Sequence, residues 1–310
     1  MYTFAYLGDP RAQNDLGYIY EYGDGVQQNY AEAVAWYTSS AEQGFPIALY
    51  NLGNMYYNGT GIAQDCNEAM RLWNLSAAQG FDGAFYTLGN QYLQGLCTEQ
   101  DSSQAVHLWK LAAERGSLDA KHNLGVLYEH GADGVAPDPV ESVRWYAEAA
   151  EQGYVMSQYN LAIMYQTGTF IPQNIREAVR WYLLAAEQGY APAQYNLGLM
   201  FDTGDGVEQN YPQAAELYHH AAMNGHPEAQ YNFADMLAKG IGMDQDVPEA
   251  LNWYIASAEN GYAQAQYLLA IMYTQGLNGL RKDKGAALFW LDRAARQGHP
   301  DAMSMLQQME

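Results

Sequence analysis

The stretch WYLLAAEQGYAPAQYNLGLMFDTGDGVEQNY, from Trp181 to Tyr211, returns as WYIASAENGYAQAQYLLAIMYTQGL from Trp253, and in varied form along the whole chain. Glycines that close an apolar helical pattern stand at 44, 80, 116, 153, 189, 225, 261 and 298, at steps of 36, 36, 37, 36, 36, 36 and 37. A fixed period of this length marks a repeat architecture. A single unit cannot bury its own apolar face, so identical units stack and bury it against each other, and each must offer its neighbour the same surface. The two longer steps place their extra residue in loops, HGADGVAPDP in the fourth unit and QGLNGLRKD in the eighth.

Each unit reads as two helices. The first, as in APAQYNLGLMF, carries small or apolar residues at 193, 197, 198 and 201, a helical spacing, and stops at Gly204 before the turn GDGV. The second opens behind an Asn or Asp at 29, 65, 101, 138, 174, 210, 246 and 283. Three residues later stand Glu32, Glu68, Gln104, Glu141, Glu177, Gln213 and Glu249, a capping-box arrangement broken only at Ala286. It ends at the period-marking glycine, which suits the left-handed residue just past a helix. All seven tryptophans fall on two adjacent columns of this second helix. Trp36, Trp145, Trp181, Trp253 and Trp290 lie eight residues before the closing glycine, and Trp73 and Trp109 lie seven before it. Large aromatics at one phase predict an interhelical core.

Composition narrows the function. Acids outnumber bases 35 to 14, a balance of −21, which argues against nucleic acid and anionic membrane surfaces as partners. No apolar run reaches the roughly 18 residues of a membrane-spanning helix, so no membrane insertion is expected. The start, MYTFAYLGDP, has neither a basic segment nor a long apolar one and reads as no signal peptide. The chain as written would be cytoplasmic, or periplasmic if an upstream signal had been removed. FAYLGDPRA at 4–12 aligns with SAEQGFPIA at 40–48, so the chain opens late in a second helix. The organisation expected is one solenoid domain over 1–310. It comprises a partial repeat or cap at 1–8, eight units over 9–298 and a capping helix at 299–310. Cys66 and Cys97 do not make a disulfide framework; two reduced thiols are the simpler reading, with pairing left open.

AQYNLGLMFDTGDGVEQNYPQAAELYHHAAMNG and its siblings resemble Sel-one-like repeats, cousins of tetratricopeptide repeats. The matching pattern is Ala-x-x-x-Leu-Gly-x-x-Tyr-x-x-Gly-x-Gly-Val, then Asp or Asn, then Ala-x-x-Trp-Tyr and Ala-Ala-x-x-Gly. It covers essentially the whole chain in register. The resemblance implies an all-α, right-handed superhelical solenoid of stacked helix-turn-helix repeats, of bacterial type, with its first helices lining the concave side. There are departures. Acids or Gln stand where the family often has lysine before the Ala of the second helix, and Phe170 replaces the second loop glycine of the fifth unit. Some relatives carry a disulfide per repeat, but Cys66 and Cys97 stand at unequal offsets from their closing glycines, Gly80 and Gly116, so that pattern is absent.

No catalytic constellation is found: no His-Glu-x-x-His, no Gly-x-Ser-x-Gly, and Gly-x-Gly loops that lack a Lys-Ser/Thr partner. The reading is therefore no enzyme, no cofactor and no metal. His122 and His130, with Glu129 alongside, share a helix face but sit about 12 Å apart. A row of acids near helix C-termini, Glu42, Glu114, Glu151, Glu187 and Glu259, is an unfavourable placement that reads as a solvated face or a functional edge. The most informative positions are rows on the first helices. Tyr50, Tyr86, Tyr159, Tyr195, Tyr231 and Tyr267 form one, with Asn14 and His122 in the same register. Asp202 and Asp235 belong to flanking rows. Tyrosine offers contact area at little entropy cost, so this surface suits protein recognition; the alternative, that the rings pack between adjacent first helices, stands equally, and both can hold. Counted with flanking positions, Glu21, Asp119, Glu129, Asp202, Glu228 and Asp235 face only Arg11 and Lys239, which calls for a partner with a neutral-to-basic contact surface. The function expected is a non-enzymatic scaffold or adaptor binding a protein in its groove. The resemblance also implies an alternative, an immunity protein that neutralises a secreted lipase or phospholipase toxin.

Overall fold

A computed structural model describes residues 2–309; Met1 and Glu310, the outermost residues of the expected caps, lie outside the described residues. The chain divides into two compact units, 1–152 and 153–310. The first holds α1 (Tyr2–Tyr6), α2 (Pro10–Tyr22), α3 (Tyr30–Ala41), α4 (Pro46–Asn58), α5 (Cys66–Ala78), α6 (Asp82–Gln94), α7 (Ser102–Glu114), α8 (Leu118–His130) and α9 (Pro139–Ala150). The second holds α10 (Val155–Thr167), α11 (Ile175–Glu187), α12 (Ala191–Thr203), α13 (Tyr211–Met223), α14 (Pro227–Lys239), α15 (Val247–Glu259), α16 (Ala263–Gln275), α17 (Lys284–Arg296) and α18 (Pro300–Met309). From α2 onward, even-numbered helices are the first and odd-numbered helices the second of each repeat. The protein is an all-α repeat solenoid, and the described residues contain no strand, only an isolated bridge between Ala132 and Val135 in the lengthened fourth loop.

The helix boundaries follow from local chemistry. The side chains of Asn29, Asp65, Asp101, Asp138, Asn174, Asn210, Asp246 and Asp283 each accept from backbone N–H groups of the following turn. Each such cap stabilises its helix by about 1 kcal/mol. The closing glycines have φ between 80° and 99°, a region costly for a residue with a Cβ. Phe170 takes the same left-handed conformation as the loop glycines it replaces, at φ 68°.

The core is a ladder of rings on second helices. Trp181, Trp145 and Trp290 are buried as expected, whereas Trp36 and Trp253 are half-buried. The deeper column is the one seven residues before the closing glycine: Tyr37, Trp73, Trp109, Tyr146, Tyr182, Tyr218 and Tyr254. Five of its seven rings are tyrosines, which a search by tryptophan passes over, and the buried Leu291 holds the eighth place. These rings lie directly on the backbone of the first helix. A Cβ built on Gly53 would stand 2.7 Å from Trp73, and one on Gly89 2.5 Å from Trp109.

One reading is corrected. Cys66 and Cys97 form a disulfide, with Cα atoms 5.3 Å apart. Cys97 stands in the register of Gly61, Gly206 and Gly242, and Cys66 in that of Tyr30, Ile175 and Tyr211. At those positions the loop glycine is pressed against the first residue of the preceding repeat's second helix, so that an added Cβ would lie 2.6 Å from Tyr30 or Tyr211. The repeat geometry thus brings the two registers together, and the cysteines join the second repeat to the third.

Candidate functional site

Each tyrosine of the first-helix row projects from the middle of its helix and is half-buried. The reason lies in the next repeat. Its first helix is entered through Phe81, Tyr190, His226, Tyr262 or His299, and five of the six row rings pack on that residue, whereas the helix that follows Tyr86 is entered through Ser117. The centroid distances are 5.0 Å for Tyr50–Phe81, 5.2 Å for Tyr159–Tyr190 and 4.7 Å for Tyr195–His226. Tyr231–Tyr262 and Tyr267–His299 follow at 5.4 and 4.6 Å. The hydroxyls also reach across: Asn123 donates to Tyr86 at 3.1 Å, Asn196 to Tyr159 at 3.4 Å, and Tyr50 meets Thr87 at 3.2 Å. The row therefore bridges successive first helices while leaving part of each ring open to solvent. Burial raises the hydroxyl pKa of Tyr159, Tyr195 and Tyr231 above its ordinary value.

The acids of the site are held from beneath. Tyr218 donates to Asp202 at 3.2 Å, and Tyr254 donates to Asp235 at 3.4 Å. The same contact recurs in the first unit, where Tyr37 donates to Glu21 at 2.6 Å and Tyr146 to Glu129 at 2.8 Å. Burial, and then the adjacent carboxylate, raises the pKa of Tyr37, Tyr218 and Tyr254, so these phenols stay protonated donors. Asp235 also accepts from Lys239 at 2.6 Å, which neutralises it in part. These acids are thus fixed in place by the buried ring column. Sequence reasoning missed this contact, although the equal spacing from Glu21 to Tyr37 and from Asp202 to Tyr218 carries it.

His226 and His299 each precede a proline at the entry of a first helix. His226 and His299 each accept from a backbone N–H three residues on and stack under a row tyrosine. His122 is buried with its ring 5.5 Å from that of Tyr146, and burial lowers its pKa. His130 ends α8. Among the described residues no cluster of three or more His, Cys, Asp or Glu side chains is placed to hold a metal ion, and no helix is long and apolar enough to cross a membrane.

Eight segments, 10–45, 46–81, 86–117, 118–154, 155–190, 191–226, 227–262 and 263–299, match the family model described as Sel1 repeat. A solved structure of a protective antigen from uropathogenic Escherichia coli strains, with an SLR fold, is 34% identical with a TM-score of 0.85. That similarity covers 98% of this chain but 65% of the antigen, so the chain spans about two-thirds of its length. A Sel1 repeat protein from Oxalobacter formigenes is 32% identical with a TM-score of 0.78, over 99% of this chain and 88% of its own. An immunity protein from Pseudomonas aeruginosa is similar at 20% identity and a TM-score of 0.45, over 71% of this chain and 82% of its own. At that distance nothing of its role carries over. A comparison with curated protein sequences returned no match.

Proposed function

Because the chain belongs to the Sel1 repeat family, whose members are generally protein-interaction scaffolds, we propose that it is a non-enzymatic scaffold or adaptor that binds a partner protein on the first-helix face of its second unit. The observation that carries this reading is the row Tyr159, Tyr195, Tyr231 and Tyr267, with rings fixed by the next repeat yet part-exposed. Aromatic anchors already immobilised lose little side-chain entropy on binding. Asp202, Glu228 and Asp235 border the row against Lys239 alone, which supports a partner with a neutral-to-basic contact surface. The fold type is typically non-catalytic, in line with the absence of a nucleophile-and-base constellation from the sequence.

The test has two parts. A photo-crosslinking amino acid at Leu199, beside the row, should capture a partner in cells that make the protein, and the same group at Leu183 on a second helix should not. With that partner in hand, the double change Tyr195→Ala and Tyr231→Ala should weaken binding at least ~30-fold, since central aromatic anchors often contribute about 2 kcal/mol or more. Unchanged affinity in a folded double variant refutes the tyrosine row as the binding site. A lowered melting temperature with unaltered affinity would assign the row to packing alone.

A further inference from the structure

The first unit contains a cavity of about 410 Å³ where α7, α8 and α9 meet. Its walls include Lys110 and Glu114 of α7, Lys121 of α8, and Arg144, Trp145 and Glu148 of α9. Three of the chain's 14 Lys and Arg residues thus converge at one place in a protein of net charge −21.

Lys121 is the unusual member. In the same register the other repeats hold Gln13, Leu49, Phe85, Gln158, Gln194, Gln230 and Gln266. The glutamines at 194, 230 and 266 each donate to the carbonyl eight residues earlier, at 2.9–3.1 Å. Only the fourth repeat puts a cation there. Lys121 is 8% exposed, and its ammonium lies 3.5 Å from Glu148, longer than the roughly 2.7–2.9 Å of a well-formed charge-assisted hydrogen bond. Glu148 is shared, because Arg144 donates to it at 2.9 Å. Burying an ammonium is costly unless an anion completes its shell.

The other cations define what would fit. Arg144 is held rigidly, 4.1 Å over the Trp145 ring and bidentate on Glu141. Lys110, on the α7 wall, lies 5.4 Å from the Tyr128 ring, and none of the described ion pairs involves it. Arg144 is taken up by Glu141, which lies outside the lining, and this leaves Lys110 and Lys121 against Glu114 and Glu148, the latter shared with Arg144. The α7 residues also sit in the last turns of that helix, the negative end of its dipole. A monoanion can complete the shell of the loosely paired Lys121 with little repulsion from the glutamates and the helix end; a phosphate dianion meets twice the charge repulsion.

We propose that this cavity is a carboxylate-binding site, in which the ligand carboxylate accepts from Lys121 and Lys110 beside the fixed Arg144–Trp145 wall. The carboxylate is that of a peptide, as an acidic side chain or a chain terminus, or of a small free acid. The site is separate from the tyrosines proposed to bind the partner, Tyr159, Tyr195, Tyr231 and Tyr267, which lie on the other unit.

The full chain, its lysines converted to ¹³C-dimethyl-lysine with charge retained, is titrated while the methyl resonances are followed by NMR. The probes are acetate, N-acetyldiglycine, N-acetyl-Gly-Glu-Gly-amide and inorganic phosphate. Saturable shifts at Lys110 and Lys121, larger than at Lys239, are expected for the carboxylates. Lys121→Gln, the residue the fold already accommodates in this register, should weaken that binding at least ~10-fold with the melting temperature maintained. The half-buried Lys110→Gln is a second variant with the same expected effect. Tighter binding of either peptide than of acetate assigns the ligand to peptides; equal affinity assigns it to small free acids. Uniform shifts at all three lysines, phosphate binding tighter than every carboxylate, or full affinity in both folded variants overturns the proposal.

Discussion

Gly89→Ala should destabilise the protein even though glycine in mid-helix is a poor helix former. The propensity term favours alanine by about 1 kcal/mol. Against it stands the Trp109 indole, 2% exposed, with its N–H donating to the Tyr86 carbonyl at 3.3 Å. An alanine Cβ would lie 2.5 Å from both Cδ1 and Nε1 of that ring. Ordinary contact is about 3.5–4.0 Å, so the ring must retreat by roughly 1 Å into a packed interior. Overpacking of this kind costs typically 1–3 kcal/mol, and the size of the clash places it near 3, leaving a net loss of about 2 kcal/mol. The repeats supply the control. A tyrosine can face an alanine in this register, as Tyr182 and Tyr254 face Ala162 and Ala234, although Tyr37, Tyr146 and Tyr218, like both tryptophans, face glycine. Trp109→Tyr should therefore relieve the clash, and the double variant should be more stable than the sum of the single losses by about 1 kcal/mol or more. Urea denaturation followed by circular dichroism measures all four proteins. A Gly89→Ala variant as stable as the parent, or an equal cost in the Trp109→Tyr background, would refute the account of the ring resting on bare backbone.

The remaining expectations concern other parts of the scaffold. Reducing the disulfide, or replacing Cys97 with Ser, removes a link spanning 31 residues and should cost roughly 3–4 kcal/mol by loop entropy, read as a drop in the urea midpoint with reductant that the Ser variant no longer shows. Trp181→Ala, at a 5% exposed site, should cost about 3–5 kcal/mol and lower protection of backbone amides in the flanking repeats as well, measured by hydrogen exchange. Burial lowers the pKa of His122 and His226 below the ordinary 6.5. The unfolded chain then binds protons that the folded one refuses, so stability should fall as pH drops through about 6.5 toward the folded values, and His226→Gln should flatten that slope in a pH series of melts.

Period, helix pairs and caps were legible because each rests on a few neighbouring residues. Asp65 with Glu68 is a start signal that needs no knowledge of the rest of the chain, and the structure caps α5 on that aspartate. What escaped depends on which registers meet when repeats stack. Cys66 and Cys97 look unrelated along the chain, yet Tyr30 and Gly61, Ile175 and Gly206, and Tyr211 and Gly242 are separated by the same stretch of chain as the two cysteines, and each pair is in contact. One such pair read as a contact predicts the others, and the disulfide with them. The tyrosine row was visible as a row, but its aromatic underlay, from Phe81 to His299, was not, because those residues differ in kind and share only their place before a first helix. Its chemistry follows from that underlay. A ring stacked on the next repeat has little freedom left to lose, and an acid clasped by a buried phenol, as Asp202 is by Tyr218, keeps its charge at the surface in one position. The contacts that stiffen the solenoid are therefore the same ones that hold the proposed recognition surface in place, and a substitution in the buried tyrosine column should disturb partner binding only through the acid it holds.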